Sequence, residues 1–111
     1  MDSFITKRYS EMMNNFESLV DLENLYFKIG ADLGVLNDRL GEHYGLCRKT
    51  RKNLKETLNF KTQAEFNREY EDTEEYLSLK QVKCQINGLE MMMRGIRVRV
   101  ESLKASVFGQ R

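Results

Sequence analysis

Two apolar stripes organise the chain. From Leu19 the sequence places Leu19, Leu22, Tyr26, Ile29, Leu33, Leu36 and Leu40 at steps that alternate three and four. That spacing is the seam of a helix packing along a narrow line. In register it continues through His43, Cys47, Thr50, Leu54 and Thr57, growing more polar towards Leu58. From Leu79 a second stripe runs Leu79, Val82, Ile86, Leu89, Met93, Ile96, Val100, Leu103 and Val107 with the same alternation. Inside it, "RGIRVRVESLKASV" also alternates like a strand through Ile96, Val98 and Val100, but the full stripe at helical spacing outweighs so short an alternation. The second helix should be roughly 43 Å long at about 1.5 Å per residue, and "GQR" closes it at Gly109.

Between the stripes, "FKTQAEF" carries a break. Thr62 followed by Glu65 is a capping box, in which hydroxyl and carboxylate each satisfy a free amide at a helix start. A second start signal, "DTEE", follows at Asp72. The pattern predicts an all-α fold, a long antiparallel helical hairpin forming a single domain over 1–111. Its first long helix covers about 16–58, its turn about 59–62 and its second arm about 63–108. That arm opens with a short extra helix over Thr62 to Tyr70, and Phe66, Tyr70 and Leu77 are expected to cover the end of the hairpin.

A lone helical pair buries one side of each helix. Phe27, Val35 and Phe60 lie outside the main stripes, and the run Met91 to Met93 adds apolar surface beside the stripe residue Met93, so the expected state is a helical homo-oligomer. Gly30, Gly34, Gly41 and Gly45 lie beside the first stripe. Each costs a helix up to about 1 kcal/mol relative to alanine, and the expected return is close approach of another backbone, within the hairpin or between copies.

Composition narrows the class. With 32% charged and 41% hydrophobic residues the chain fits a soluble protein, and 10% aromatic is too rich for a disordered one. The absence of proline agrees with long uninterrupted helices. Cys47 and Cys84 have no paired spacing and read as reduced thiols at the core or its boundary. No apolar run approaches the roughly 20 residues of a membrane span, and "MDSFITKRYSEMM" lacks the apolar core of a secretory signal, so a cytoplasmic protein without membrane partners is expected.

The net charge of +1 hides segregation. Arg48, Lys49, Arg51, Lys52, Lys55 and Lys61 face Glu56 alone; Glu65 to Glu75 is acidic apart from Arg68; Arg94, Arg97, Arg99, Lys104 and Arg111 face Glu101 alone. Antiparallel folding would set the first basic block beside the acidic one, and the last beside Glu11, Glu17, Asp21, Glu23 and Asp32. Such exposed pairs set register and are worth no more than about 1 kcal/mol each. Beyond them, Lys83, Arg97 and Lys104 share one heptad position and Lys80 and Arg94 a neighbouring one, forming a basic stripe. Repeated around an oligomer, that stripe and the Arg48 to Lys55 block could bind a polyanion, because affinity grows with the phosphates neutralised. The candidate nucleic-acid-binding residues are therefore Arg48, Lys49, Arg51, Lys52, Lys55, Lys61, Lys83, Arg94, Arg97, Arg99 and Lys104.

Residues for catalysis are scarce. His43 is the one histidine and sits in the first seam, where a structural role is expected. No histidine or cysteine cluster has zinc spacing, Gly30 to Gly34 lacks the lysine and hydroxyl of a phosphate loop, and the adjacent pairs Glu71-Asp72 and Glu74-Glu75 read as helix-start charges. The expectation is a protein that is not an enzyme and takes no cofactor, metal or small-molecule substrate.

The layout resembles small phage recombination mediators of the UvsY type. The features are a first helix ending in "GLCRKTRKNLKETL", a polar link "KTQAEFNREYEDTEEYL", and a second helix with late arginines, "LEMMMRGIRVRVESLKAS". The similarity covers about Phe16 to Val107 and is one of pattern. It implies a ring-like helical oligomer in the host cytoplasm that binds single-stranded DNA without sequence preference. It also implies contact with a RecA-like recombinase and a single-strand binding protein. Base stacking would favour exposed aromatics near the cations, and the sequence offers Tyr44 and Phe60. Two rival readings are a structural or adaptor protein indifferent to nucleic acid, and a small inhibitor docking through Glu65 to Glu75.

Overall fold

The computed structural model describes residues 3–57, 59 and 61–109, with the helix path alone at 3 and 107–109. Leu58, Phe60, Arg111 and the Val107 side chain fall outside the described residues. The elements are α1 (Ser3–Asn14), α2 (Leu19–Thr57), α3 (Gln63–Glu71) and α4 (Glu74–Gly109), with no strand among the described residues. The all-α expectation and the two long helices hold.

The first arm differs at its start. Residues 16–18 belong to a turn and not to the long helix, and α1 precedes it as a helix of its own. Asn15 ends α1 by donating from both backbone and side chain to the Glu11 carbonyl. Ser18 then starts α2, its hydroxyl accepting from the Asp21 amide at 3.4 Å and its carbonyl from the Leu22 amide.

At the other break, Thr62 caps α3 by accepting from the Glu65 amide at 3.1 Å, while the Glu65 carboxylate accepts from the Lys61 amide. The "DTEE" signal divides between two jobs. Asp72 closes α3, its amide donating to the Arg68 and Tyr70 carbonyls, and the Thr73 hydroxyl accepts from the Tyr76 amide to open α4.

The chain forms two compact units. One comprises Met1–Val35 with Gln85–Arg111, so α1 packs with the early part of α2 and the late part of α4. Pairings of Tyr26 with Arg97 and Glu23 with Lys104 set α2 and α4 antiparallel there. Leu22, Ile29, Leu89 and Ile96 are fully buried, and Met12, Leu25 and Met92 nearly so. Leu25 and Met92 lie off the predicted stripes. Leu25 stands two turns before Asp32 on α2, which binds Arg8 of α1; Met92 stands one turn after Gly88, whose open side lies against Ile5 of α1. The third helix therefore covers apolar surface that a two-helix hairpin would leave bare. Of the Met91 to Met93 run only Met91 remains exposed; Met93 is half-buried.

The other unit, Leu36–Cys84, holds the late part of α2, α3 and the start of α4. Lys83 over Tyr44 and Cys47 against Glu75 show the same antiparallel sense. Its buried apolar residues are Leu36, Cys47, Phe66, Leu79 and Val82. Leu40, His43, Thr50 and Leu54 continue the seam half-buried, and the His43 Nδ1 is a buried nitrogen without a hydrogen-bond partner among the described residues. Phe66 and Tyr70 cover this end as expected, but Leu77 points outward and is exposed, because it stands on the side of α4 away from the Leu79 and Val82 seam.

The glycines separate the two alternatives left open for them, approach within the hairpin and approach between copies. A methyl group at Gly34, Gly41 or Gly45 would meet nothing within 4 Å, and one at Gly30 would only touch the end of Met93 at 4.0 Å. Among the described residues, no backbone of this chain approaches closely at these positions.

Candidate nucleic-acid interface

Within the Leu36–Cys84 unit, Arg48, Arg51, Lys52 and Lys55 recur at steps of three, one and three, so they stand on one side of α2 over two turns. All four are exposed, and together with Glu56 they line a single surface cavity. Four cations around one carboxylate leave a net positive face. Among the described residues no ion pair joins this block to the acidic segment Glu65 to Glu75, so the charge neutralisation expected from antiparallel folding is not made there.

What holds the block is aromatic. The Arg51 guanidinium lies 5.4 Å from the Tyr70 ring centre, and the Lys55 ammonium 5.5 Å from that of Phe66. Phe66 and Tyr70 are stacked at 6.4 Å, and Tyr70 meets Tyr76 edge-on at 5.1 Å. Partial burial pushes the Tyr70 phenol up to about 12, reinforced by its hydrogen bond with Cys47, while Arg51 pulls the other way. The phenol is thus neutral across the physiological range and takes nothing from the positive charge above it. These rings are not neighbours of the cations along the chain; they arrive through the fold of α3. Their signal was the pair Phe66 and Tyr70, one turn apart on a helix that doubles back.

The remaining cations of this unit are separate. Lys49 is exposed on α2 but outside the cavity, and Lys61 is exposed at the start of α3. Lys83 sits on α4 with its ammonium 5.1 Å above the ring of Tyr44, one of the two aromatics singled out for stacking. The other, Phe60, falls outside the described residues.

In the Met1–Val35, Gln85–Arg111 unit the arginines are more committed. Arg99 donates to the Phe16 carbonyl at 2.9 Å, pairs with Glu17 at 2.8 Å and lies 4.6 Å above the Phe16 ring. Lys104 pairs with Glu23 at 3.3 Å, and Arg97 donates to the Tyr26 hydroxyl at 3.0 Å, a bond that raises its already high pKa. These follow the antiparallel charge matching expected from the sequence. Arg94 is exposed and has no ion pair among the described residues. Arg8, absent from the candidates, is a structural clamp: it donates to both Asp32 oxygens at 2.7 and 3.3 Å and to Glu11 at 3.1 Å.

Among the described residues no cluster of three or more histidine, cysteine, aspartate or glutamate side chains could hold a metal ion. Cys47 is buried and Cys84 exposed, both as free thiols. No helix among the described residues is long and apolar enough to cross a membrane. The chain matches no family model, no curated protein and no solved structure.

Proposed function

We propose that this chain is a non-enzymatic, oligomeric single-stranded-DNA-binding protein that assists homologous recombination. The observation that supports it is the outward cluster of Arg48, Arg51, Lys52 and Lys55, without an ion pair to the nearby acidic segment among the described residues, in which Tyr70 braces Arg51 and Phe66 braces Lys55. A braced cation loses less side-chain freedom when it meets a phosphate, so less of the attraction is spent on ordering it. With few exposed rings, the contact is to the backbone and independent of sequence. The UvsY-like layout extends the reading: copies of the chain present the cluster repeatedly to one strand, and help a RecA-like recombinase displace a single-strand binding protein.

Fluorescence anisotropy of a labelled single-stranded oligonucleotide, titrated at several salt concentrations, tests it. Four phosphates per chain give a log–log salt slope of about −2.8, at roughly −0.7 per phosphate. Lys52→Glu should reduce affinity about tenfold or more at low salt with helix content unchanged. No binding at low salt would sink the proposal.

A second reading, a structural or adaptor helix protein, draws on the cations of the other unit. Arg99, Lys104 and Arg97 are engaged by Glu17, Glu23 and Tyr26 of the same chain, and Phe27, Val20 and Met91 offer exposed apolar surface. It predicts association indifferent to nucleic acid.

A further inference from the structure

On a solvated helix the side farthest from the core is normally where charges gather. Late α4 departs from this. Opposite its buried stripe it carries Met91, Gly95, Val98, Ser102 and Ala105, all exposed, at alternating steps of four and three. Met91 is 69% exposed and Val98 66%. The charged residues are displaced: Glu90, Arg94, Arg97, Glu101 and Lys104 keep to one flank, and Arg99 turns the other way to Phe16 and Glu17. A strict seven-residue repeat is the signature of a helix seam, and this helix has a second one facing out.

We infer that this outward face of α4 is a self-association surface, on which a second copy of the chain packs the same face in antiparallel sense. Gly95 and Ser102 allow the helices to approach closely, while Met91 and Val98 supply the apolar contact. The flanking charges decide the occupant and its direction. Antiparallel pairing sets residues of one flank against the same flank of the second copy, so Arg94 meets Glu101 twice about the two-fold axis. Parallel pairing would set Arg94 against Arg99. Neither Arg94 nor Glu101 has an ion pair among the described residues, although Glu101 contributes to the high pKa of Arg97. Such exposed pairs are weak individually, so they select direction while the seam supplies attraction. This inference rests on the oligomeric part of the proposed function and not on DNA binding.

The test is sedimentation velocity of the full chain without nucleic acid over a wide concentration range, with helix content followed by circular dichroism. The wild-type chain should pass from 13.1 kDa to twice that mass. Met91→Glu, at an exposed position, should keep its helix and weaken association at least about tenfold. Arg94→Glu should weaken it several-fold, and adding Glu101→Arg should restore it, since the pair is merely reversed. An oligomer insensitive to Met91→Glu, or a double variant no stronger than Arg94→Glu alone, overturns this surface and leaves oligomerisation standing. A wild-type chain that is monomeric at every concentration overturns both, whatever its affinity for DNA.

Discussion

The two compact units are built from the same pair of long helices yet hold together differently. Where α1 is present, four leucine and isoleucine side chains are fully buried and the cations close onto named oxygens of the chain. In the Leu36–Cys84 unit the buried set is smaller, the seam turns polar at His43 and Thr50, and the cations rest on rings. A charge held by a carboxylate is largely neutralised, whereas one held on a ring remains positive to the solvent. The first unit is arranged for stability and the second keeps its charge available.

The widest gap between the units should be in core truncation. Ile29→Ala or Leu89→Ala removes a fully buried side chain among three helices, so urea unfolding should register a loss of about 3 kcal/mol. Leu40→Ala or Leu54→Ala, at half-buried positions of the other unit, should cost about 1 kcal/mol. Equal losses in both places would end the contrast.

Arginines should divide along the same line. Arg99→Ala leaves the Phe16 carbonyl and Glu17 without their donor, and a loss of about 1–2 kcal/mol should appear in unfolding with little change in DNA affinity. Arg51→Ala should do the reverse, lowering affinity and reducing the salt slope by roughly 0.7 with stability nearly unchanged. If Arg99→Ala lowered affinity at intact stability, the unit assigned to structure would belong to the interface.

Alkaline pH probes the aromatic brace. The folded Tyr70 phenol titrates at about 12 against an ordinary value of 10.0. Its neutral form is favoured by folding, so that contribution is complete below pH 10 and is lost as pH rises from 10 to 12. Urea midpoints of wild type and Tyr70→Phe should therefore converge as pH climbs through that window, the variant being the less sensitive. Parallel decline in the two proteins would remove Tyr70 as the cause.

Both stripes, the Thr62 cap and the second break were legible because periodicity and capping are local properties. The helix α1 was equally local: Ile5, Arg8, Met12 and Asn15 recur at three and four, and "SLVD" is a start signal at Ser18. It was missed because Arg8 and Asn15 interrupt the apolar run, and Arg8 is there to reach Asp32 across 24 residues. The same limit governs the candidate site. Which cations are neutralised depends on partners distant in sequence, so Arg99, tied to Phe16, and Arg51, resting on Tyr70, look alike in the chain and differ in the fold.

The glycines carry the smallest expected effect and the most direct comparison between the units. Gly34 lies in the first and Gly41 in the second, each mid-helix, exposed, and with open space where a methyl would stand. Within one chain nothing is gained from glycine there, so Gly34→Ala and Gly41→Ala should each raise stability by up to about 1 kcal/mol through helix propensity and a less flexible unfolded chain. Urea unfolding at low protein concentration, where copies are dissociated, measures that term alone. Repeating it at high concentration adds association. A gain that persists unchanged means these glycines are merely tolerated. A gain that shrinks or reverses at one position means that a second backbone approaches α2 there, and identifies which unit receives it.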